Sequence, residues 1–358
     1  MGDRLQRLAV ELEAAGIDRL LVSEPSNLRY LTGFTGSNGL AVVGADELLF
    51  VTDFRYVEQA AEELDPAFER VRAPGELART VAERLDGGPS LRLGFDDAHV
   101  SVRGFERLRD LLGGSAELVV AAGLVERLRR VKEPEELQRI AASARLADAA
   151  FEEVLARGVV GRTERELALD LETAMRRLGA SGPSFPSIVA AGPHGALPHA
   201  EPRDVAIGEG ELVVIDWGAV LDGYCSDCTR TVATGALDGD PVLVYELVLA
   251  AQQAGVAAVR AGLSGREVDA VVRQVIVDAG YGEQFGHGLG HGVGLQTHED
   301  PRLSTRSDDV LEAGNVVTVE PGIYLPGRFG VRIEDLVVVG AEGCEVLTGV
   351  ERSLRVIA

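Results

Sequence analysis

The chain has 358 residues, enough for two domains, and its 46% apolar content is that of a globular protein able to bury a core. A formal net charge of −22 opposes a phosphate-binding surface, because condensed counterions are released only by Lys and Arg, so nucleic acid is excluded as a partner. Three cysteines cannot form a disulfide framework, and a charged N-terminus with no uninterrupted apolar run near bilayer length predicts a cytoplasmic protein without a membrane partner.

Residues 3–15 place Leu5, Leu8 and Leu12 on one helical face, and Arg19–Val22 and Glu47–Val51 read as strands. Helices near 55–64 and 101–112 complete a small α/β domain. Around Leu124–Lys132 the texture turns to a charged connector, and Lys132, the only lysine, reflects base composition and decides nothing about function. Pro134 then opens a long helix in the first-turn position proline favours. The domains are placed at 1–128 and 129–358.

The second domain carries a faint internal repeat. Thr163-Glu-Arg-Glu-Leu167 recurs as Ser264-Gly-Arg-Glu-Val268, each a capping box opening a helix that ends at Gly179 or Gly280. Glu211–Gly218 resembles Asn315–Gly322, which sets Asp216 opposite Glu320. Two such halves about a pseudo-twofold axis would bring Asp216 and Asp227 from one, and Glu320 and Glu334 from the other, to a common centre.

Those four carboxylates and His291 lie in apolar or glycine-rich segments, where an unpaired charge is costly. Divalent cations between them would justify the placement. Oxygen-rich ligation favours Mn, Co, Mg or Ca over structural zinc, and the histidine tilts the choice to Mn or Co. Two metals sharing a water could ionise it near neutral pH. Arg332 and Glu334 alternate onto one strand face, which would let the guanidinium hold that carboxylate. The segment Phe285–Glu299 adds His287, His291 and His298 among glycines; without a lysine it does not read as a phosphate loop. Cys225 and Cys228 interrupt a strand-like run and read as core packing rather than a zinc or redox pair.

Taken together, Asp-x10-Asp, Gly286-His-Gly-Leu-Gly-His291, His298-Glu299, Val319-Glu-Pro-Gly322 and Arg332-Ile-Glu334 resemble, in order, the signatures of the pita-bread metallopeptidases, in the Xaa-Pro dipeptidase (prolidase) and Xaa-Pro aminopeptidase (aminopeptidase P) branch. Leu197-Pro-His199 also matches. Leu31–Ser37 and Thr52–Tyr56 are similar to the creatinase-like N-terminal domain, so the resemblance covers the whole chain. It implies an α/β chain: a creatinase-like N-terminal α/β domain followed by a pseudo-twofold pita-bread α+β catalytic domain. The implied ligands of two divalent metal ions are Asp216, Asp227, His291, Glu320 and Glu334, with Mn favoured and Co or Zn as alternatives. Glu320 would also take a proton from the nucleophilic water. His298 and His199 would stabilise the tetrahedral intermediate or the departing nitrogen, His287 would line the proline pocket, and Tyr324 and Arg332 would form an outer network. His194 and His99 read as non-catalytic, the former as a solvated loop residue. Asp53, Arg55 and Tyr56 read either as reaching a neighbouring subunit's active site or as a strand end opening a helix.

The expected activity is hydrolysis of the Xaa-Pro bond of short peptides by a homodimer, with dipeptidase favoured over aminopeptidase. A metal-free creatinase-like hydrolase and a catalytically dead binding module are disfavoured by the complete ligand set. Methionine aminopeptidases are disfavoured because they resemble the catalytic half alone.

Overall fold

The computed structural model describes all residues except Met1, Asp46, 87–89, Ala122 and Ala358. It divides into two compact units, Met1–Arg129 and Arg130–Ala358.

In the first unit α1 (Gly2–Ala15) buries Leu8 and Leu12, followed by β1 (Arg19–Val22) and α2 (Pro25–Thr32). Next come β2 (Gly39–Gly44), β3 (Leu48–Thr52), α3 (Val57–Glu63), β4 (Glu69–Arg72) and α4 (Leu77–Leu85). The unit closes with β5 (Leu91–Phe95), α5 (Val102–Leu112), β6 (Ala116–Val120) and α6 (Leu124–Arg130). The strands form one mixed sheet in the order β4-β3-β2-β1-β5-β6. Val42, Leu49, Val51 and Leu93 pack from it against Val81 and Leu108 of the helices. The expected charged connector is instead the helix α6: Leu124, Val125 and Leu128 recur at helical spacing, and burying that apolar face outweighs the surrounding charge. Asp53 caps a short 3-10 turn by accepting from the Arg55 N–H at 2.9 Å, which accounts for these residues as a strand end opening a helix.

The second unit shows the repeat directly. Its first half contains α7 (Pro134–Leu155), α8 (Glu164–Arg177), β7 (Gly182–Pro183), β8 (Ile188–Ala191) and β9 (Leu212–Trp217). β10 (Ala219–Leu221), β11 (Tyr224–Cys225) and β12 (Cys228–Ala233) follow. The other half contains α9 (Asp240–Ala258), α10 (Gly265–Asp278), β13 (Gly290–Gly292), β14 (Glu299–Leu303) and β15 (Val316–Val319). β16 (Gly322–Leu325), β17 (Phe329–Arg332), β18 (Asp335–Val339) and β19 (Cys344–Val346) end the unit. Thr163 and Ser264 form complete capping boxes with Glu166 and Glu267, and α8 and α10 are followed by Gly179 and Gly280 with positive φ.

Three antiparallel strands in the order β12-β9-β8 face one helix pair, with Trp217 stacked on Phe151 at a 4.0 Å centroid separation. Five strands in the order β14-β13-β15-β18-β19 face the other pair through Val317, Val337, Val272 and Tyr245. α9 is the one helix among the described residues long and apolar enough to cross a membrane. Here Val244, Val248 and Ala251 of that helix join the core.

Candidate active site

Four of the five candidate ligands stand at or beside a strand end or break, and the fifth, His291, lies within a three-residue strand. Asp216 is the penultimate residue of β9, paired in register with Thr229 and Ile188. Asp227 falls in the break between β11 and β12, which divides what reads as a single run. His291 is the centre of β13. It can approach β15 because Gly290 lacks a side chain: a Cβ there would lie 2.0 Å from the Thr318 carbonyl oxygen. Glu320 directly follows β15, and its N–H donates to the Leu289 carbonyl at 2.9 Å. Glu334 lies between β17 and β18, and its N–H donates to the Thr229 carbonyl at 3.1 Å.

These five residues line one cleft of about 580 Å³, together with His199, His287, His298, Tyr324 and Arg332. His291 Nε2 is 3.4 Å from Glu320 Oε1 and 3.6 Å from Asp227 Oδ2. Asp227, His291 and Glu334 present ligand atoms within 4.8 Å of one another. Thr229 donates its hydroxyl to Glu334 Oε2 at 2.7 Å, and Thr318 donates to Glu320 Oε1 at 3.2 Å. Neither threonine was marked by the sequence reading, although each lies two residues from a candidate ligand.

Arg332 corrects the sequence expectation. β17 ends at Arg332 and β18 begins at Asp335, so Arg332 and Glu334 do not share one strand face. The guanidinium instead reaches across to Asp216 Oδ2 at 2.6 Å and donates to Tyr324 Oη at 2.9 Å and the Pro198 carbonyl at 3.1 Å. Tyr324 Oη is also 3.0 Å from His287 Nε2. His194 likewise departs from expectation. Its side chain is only 9% exposed and Nδ1 lies 2.9 Å from Glu164 Oε2, a buried carboxylate that also holds Arg203. Glu164 is buried in the first turn of α8, and His194, within the 3-10 helix Gly192–Ala196 rather than a loop, reaches it. His99 is exposed in the first unit.

The electrostatics describe a centre crowded with buried carboxylates. Burial, then the neighbouring Glu334, Asp216 and Glu320 carboxylates, push Asp227 well above the usual range. Burial, then Glu320 and Asp216, do the same to Glu334. Burial pushes Glu320 up to about 7, against the opposing pull of Arg332. His291 is held down to about 3 and His287 to about 4, chiefly by burial. Asp216 Oδ1 is buried without a hydrogen-bond partner. Four carboxylates, one of them with a buried oxygen that no hydrogen bond takes up, and one neutral imidazole are a donor set that fits hard divalent cations.

Arg302, on β14 four residues beyond His298, also lines the cleft. It is 47% exposed, and its ion pair with Asp300 is a long 4.0 Å. The alternation of β14 placed it outward, but sequence alone gave no signal that outward meant toward the cleft. Phe185 and Ile188 supply an apolar wall.

Residues 138–341 match metallopeptidase family M24, and residues 4–131 match the creatinase/prolidase N-terminal domain. The chain belongs to metallopeptidase family M24. It is 35% identical over 356 residues to a Xaa-Pro dipeptidase of Pyrococcus furiosus, covering 99% of this chain and 100% of that one. Among solved structures, a Xaa-Pro dipeptidase from Bacillus anthracis superposes with a TM-score of 0.95 at 41% identity, covering 99% of both chains. An X-Pro aminopeptidase from Thermotoga maritima gives 0.91 at 36% identity, covering 99% of this chain and 100% of that one. The peptidase therefore has the two-domain α/β architecture of the prolidase branch.

Proposed function

We propose that this peptidase is a Xaa-Pro dipeptidase that uses two divalent ions, manganese by preference, held by Asp216, Asp227, His291, Glu320 and Glu334. The observation that carries the reading is the convergence of these five side chains in one cleft that also holds three further histidines and a half-exposed arginine. Bound metal would supply the Lewis acidity that makes water nucleophilic near neutral pH and polarises the scissile carbonyl. Glu320 accepts the proton from the attacking water. His298, whose ring centroid lies 4.3 Å from that of His291, and His199 in the same cleft donate to the charge that develops on the carbonyl oxygen or the leaving nitrogen. His287, fixed by Tyr324, lines the proline side. Arg302 takes the free carboxylate that ends a dipeptide, which is the recognition a dipeptidase needs. Three free thiols, Cys225, Cys228 and Cys344, suit a reducing cytoplasm. The family resemblance supports a homodimer.

Aminopeptidase activity on longer peptides is the second reading, favoured by the likeness to the Thermotoga enzyme. Kinetics on Xaa-Pro, its C-terminal amide and Xaa-Pro-Yaa separate the two. Dipeptidase predicts that amidation of the proline carboxylate lowers kcat/KM at least about tenfold, the value of one charge-assisted hydrogen bond. Equal rates on all three substrates would reject it.

A further inference from the structure

Lys132 is the chain's single lysine, and its side chain is only 1% exposed. Its Nζ lies 3.2 Å from Glu299 Oε2, itself on a side chain 6% exposed, and 3.4 Å from the Arg130 carbonyl. Its backbone is fixed as well, because the Lys132 N–H donates to the Gly314 carbonyl at 2.9 Å. The pair is thus a buried charge pair anchored at both ends.

What Glu299 does with its other oxygen gives the pair a purpose. Oε1 accepts from the Gln296 N–H at 2.9 Å, and Gly294 packs so closely that a Cβ there would lie 2.6 Å from Oε2. The turn Gly294–Thr297 is therefore wrapped around the carboxylate of Glu299. Thr297 closes it from the other side by donating to the Ser184 carbonyl at 2.8 Å. His298 sits between these two fixed residues, exposed at the cleft.

We infer that Lys132 is a positioning residue for His298, acting through Glu299 and the turn folded around it. Without the ammonium, Glu299 is a buried carboxylate with no countercharge from Lys132. The carboxylate then loses the partner that holds Oε2, and the turn folded around it loosens. The kinetic part of this inference rests on the proposed role of His298 in Xaa-Pro hydrolysis.

A double-mutant cycle tests it. Lys132→Met should lower kcat about tenfold, with KM and bound metal within about twofold of wild type. In a His298→Ala background the same change should cost less than about twofold, and Lys132→Arg should recover most of the loss. Equal losses in both backgrounds, or no loss in the first, would overturn the inference. Should Lys132→Met not fold, Glu299→Gln breaks the same pair and goes through the same cycle with the same deciding outcomes. Two readouts need no activity. Native Lys132 should be acetylated by acetic anhydride at least about a hundredfold more slowly than in urea, as a locally protected site. The carbethoxylation rate of His298 should change several-fold in Lys132→Met while that of His99 does not. Native acetylation as fast as unfolded, or an unchanged His298 rate, refutes the positioning role. A wild type inactive on Xaa-Pro peptides refutes the functional reading instead, and leaves these two chemical readouts to decide the inference.

Discussion

Arg332 Nη2 donates to Asp216 Oδ2 at 2.6 Å from the end of β17 to the end of β9, joining the two halves of the pseudo-twofold unit with one side chain. Both groups are buried, and the same guanidinium is braced by Tyr324 and by the Pro198 carbonyl. The contact takes up Oδ2 and leaves Asp216 Oδ1 as a buried acceptor without a hydrogen bond. Orienting one oxygen by occupying the other is how an outer partner sets a ligand's geometry.

Arg332→Met should therefore weaken metal binding about 10- to 100-fold, the usual cost of losing such a partner. Metal titration by calorimetry checks this. Affinity equal to wild type would mean that Asp216 is held adequately by β9 alone.

Glu320→Gln keeps the shape of the side chain and removes its basicity. Turnover on Xaa-Pro should fall at least about a hundredfold, as for loss of a general base, while the thermal unfolding midpoint stays near wild type. Stopped assays at saturating substrate and metal measure it. A variant turning over at wild-type rate would assign the proton to another group.

Asp148 on α7 gives a pH-dependent prediction remote from the cleft. Burial pushes its carboxyl up to about 6, although it accepts from the Gly349 N–H at 2.6 Å. A carboxyl whose folded pKa exceeds its unfolded value contributes stability below the unfolded value, near 4, and loses it as pH rises through about 6. Asp148→Asn should match wild type at pH 4 and exceed it at pH 8 by about 1 kcal/mol, discounted for partial exposure. Urea unfolding at the two pH values reads the difference. A variant less stable at pH 8 would contradict the sign.

The parts of the site legible in sequence were those where chemistry conflicts with local composition. Asp216, Asp227, Glu320 and Glu334 stand out as charges in apolar runs, and His291 stands out among glycines. The capping boxes at Thr163 and Ser264 made the repeat visible for the same local reason. What sequence hid depends on long-range partners. Alternation pairs Arg332 with Glu334 because a strand break at Ile333 is invisible to it. His194 and Lys132 looked unremarkable because their carboxylates, Glu164 and Glu299, are 30 and 167 residues away. Arg302 was missed because facing outward from a strand says nothing of what lies outside.

On the proposed reading, Xaa-Pro hydrolysis requires divalent metal in this cleft. Elemental analysis paired with Xaa-Pro turnover on the same samples tests it most directly: as prepared, after chelation, and after reloading with manganese. The expected result is about two ions per active chain, with activity lost on their removal and restored by manganese. A chain stripped of metal by elemental analysis that still cleaves Xaa-Pro at the full rate would contradict it.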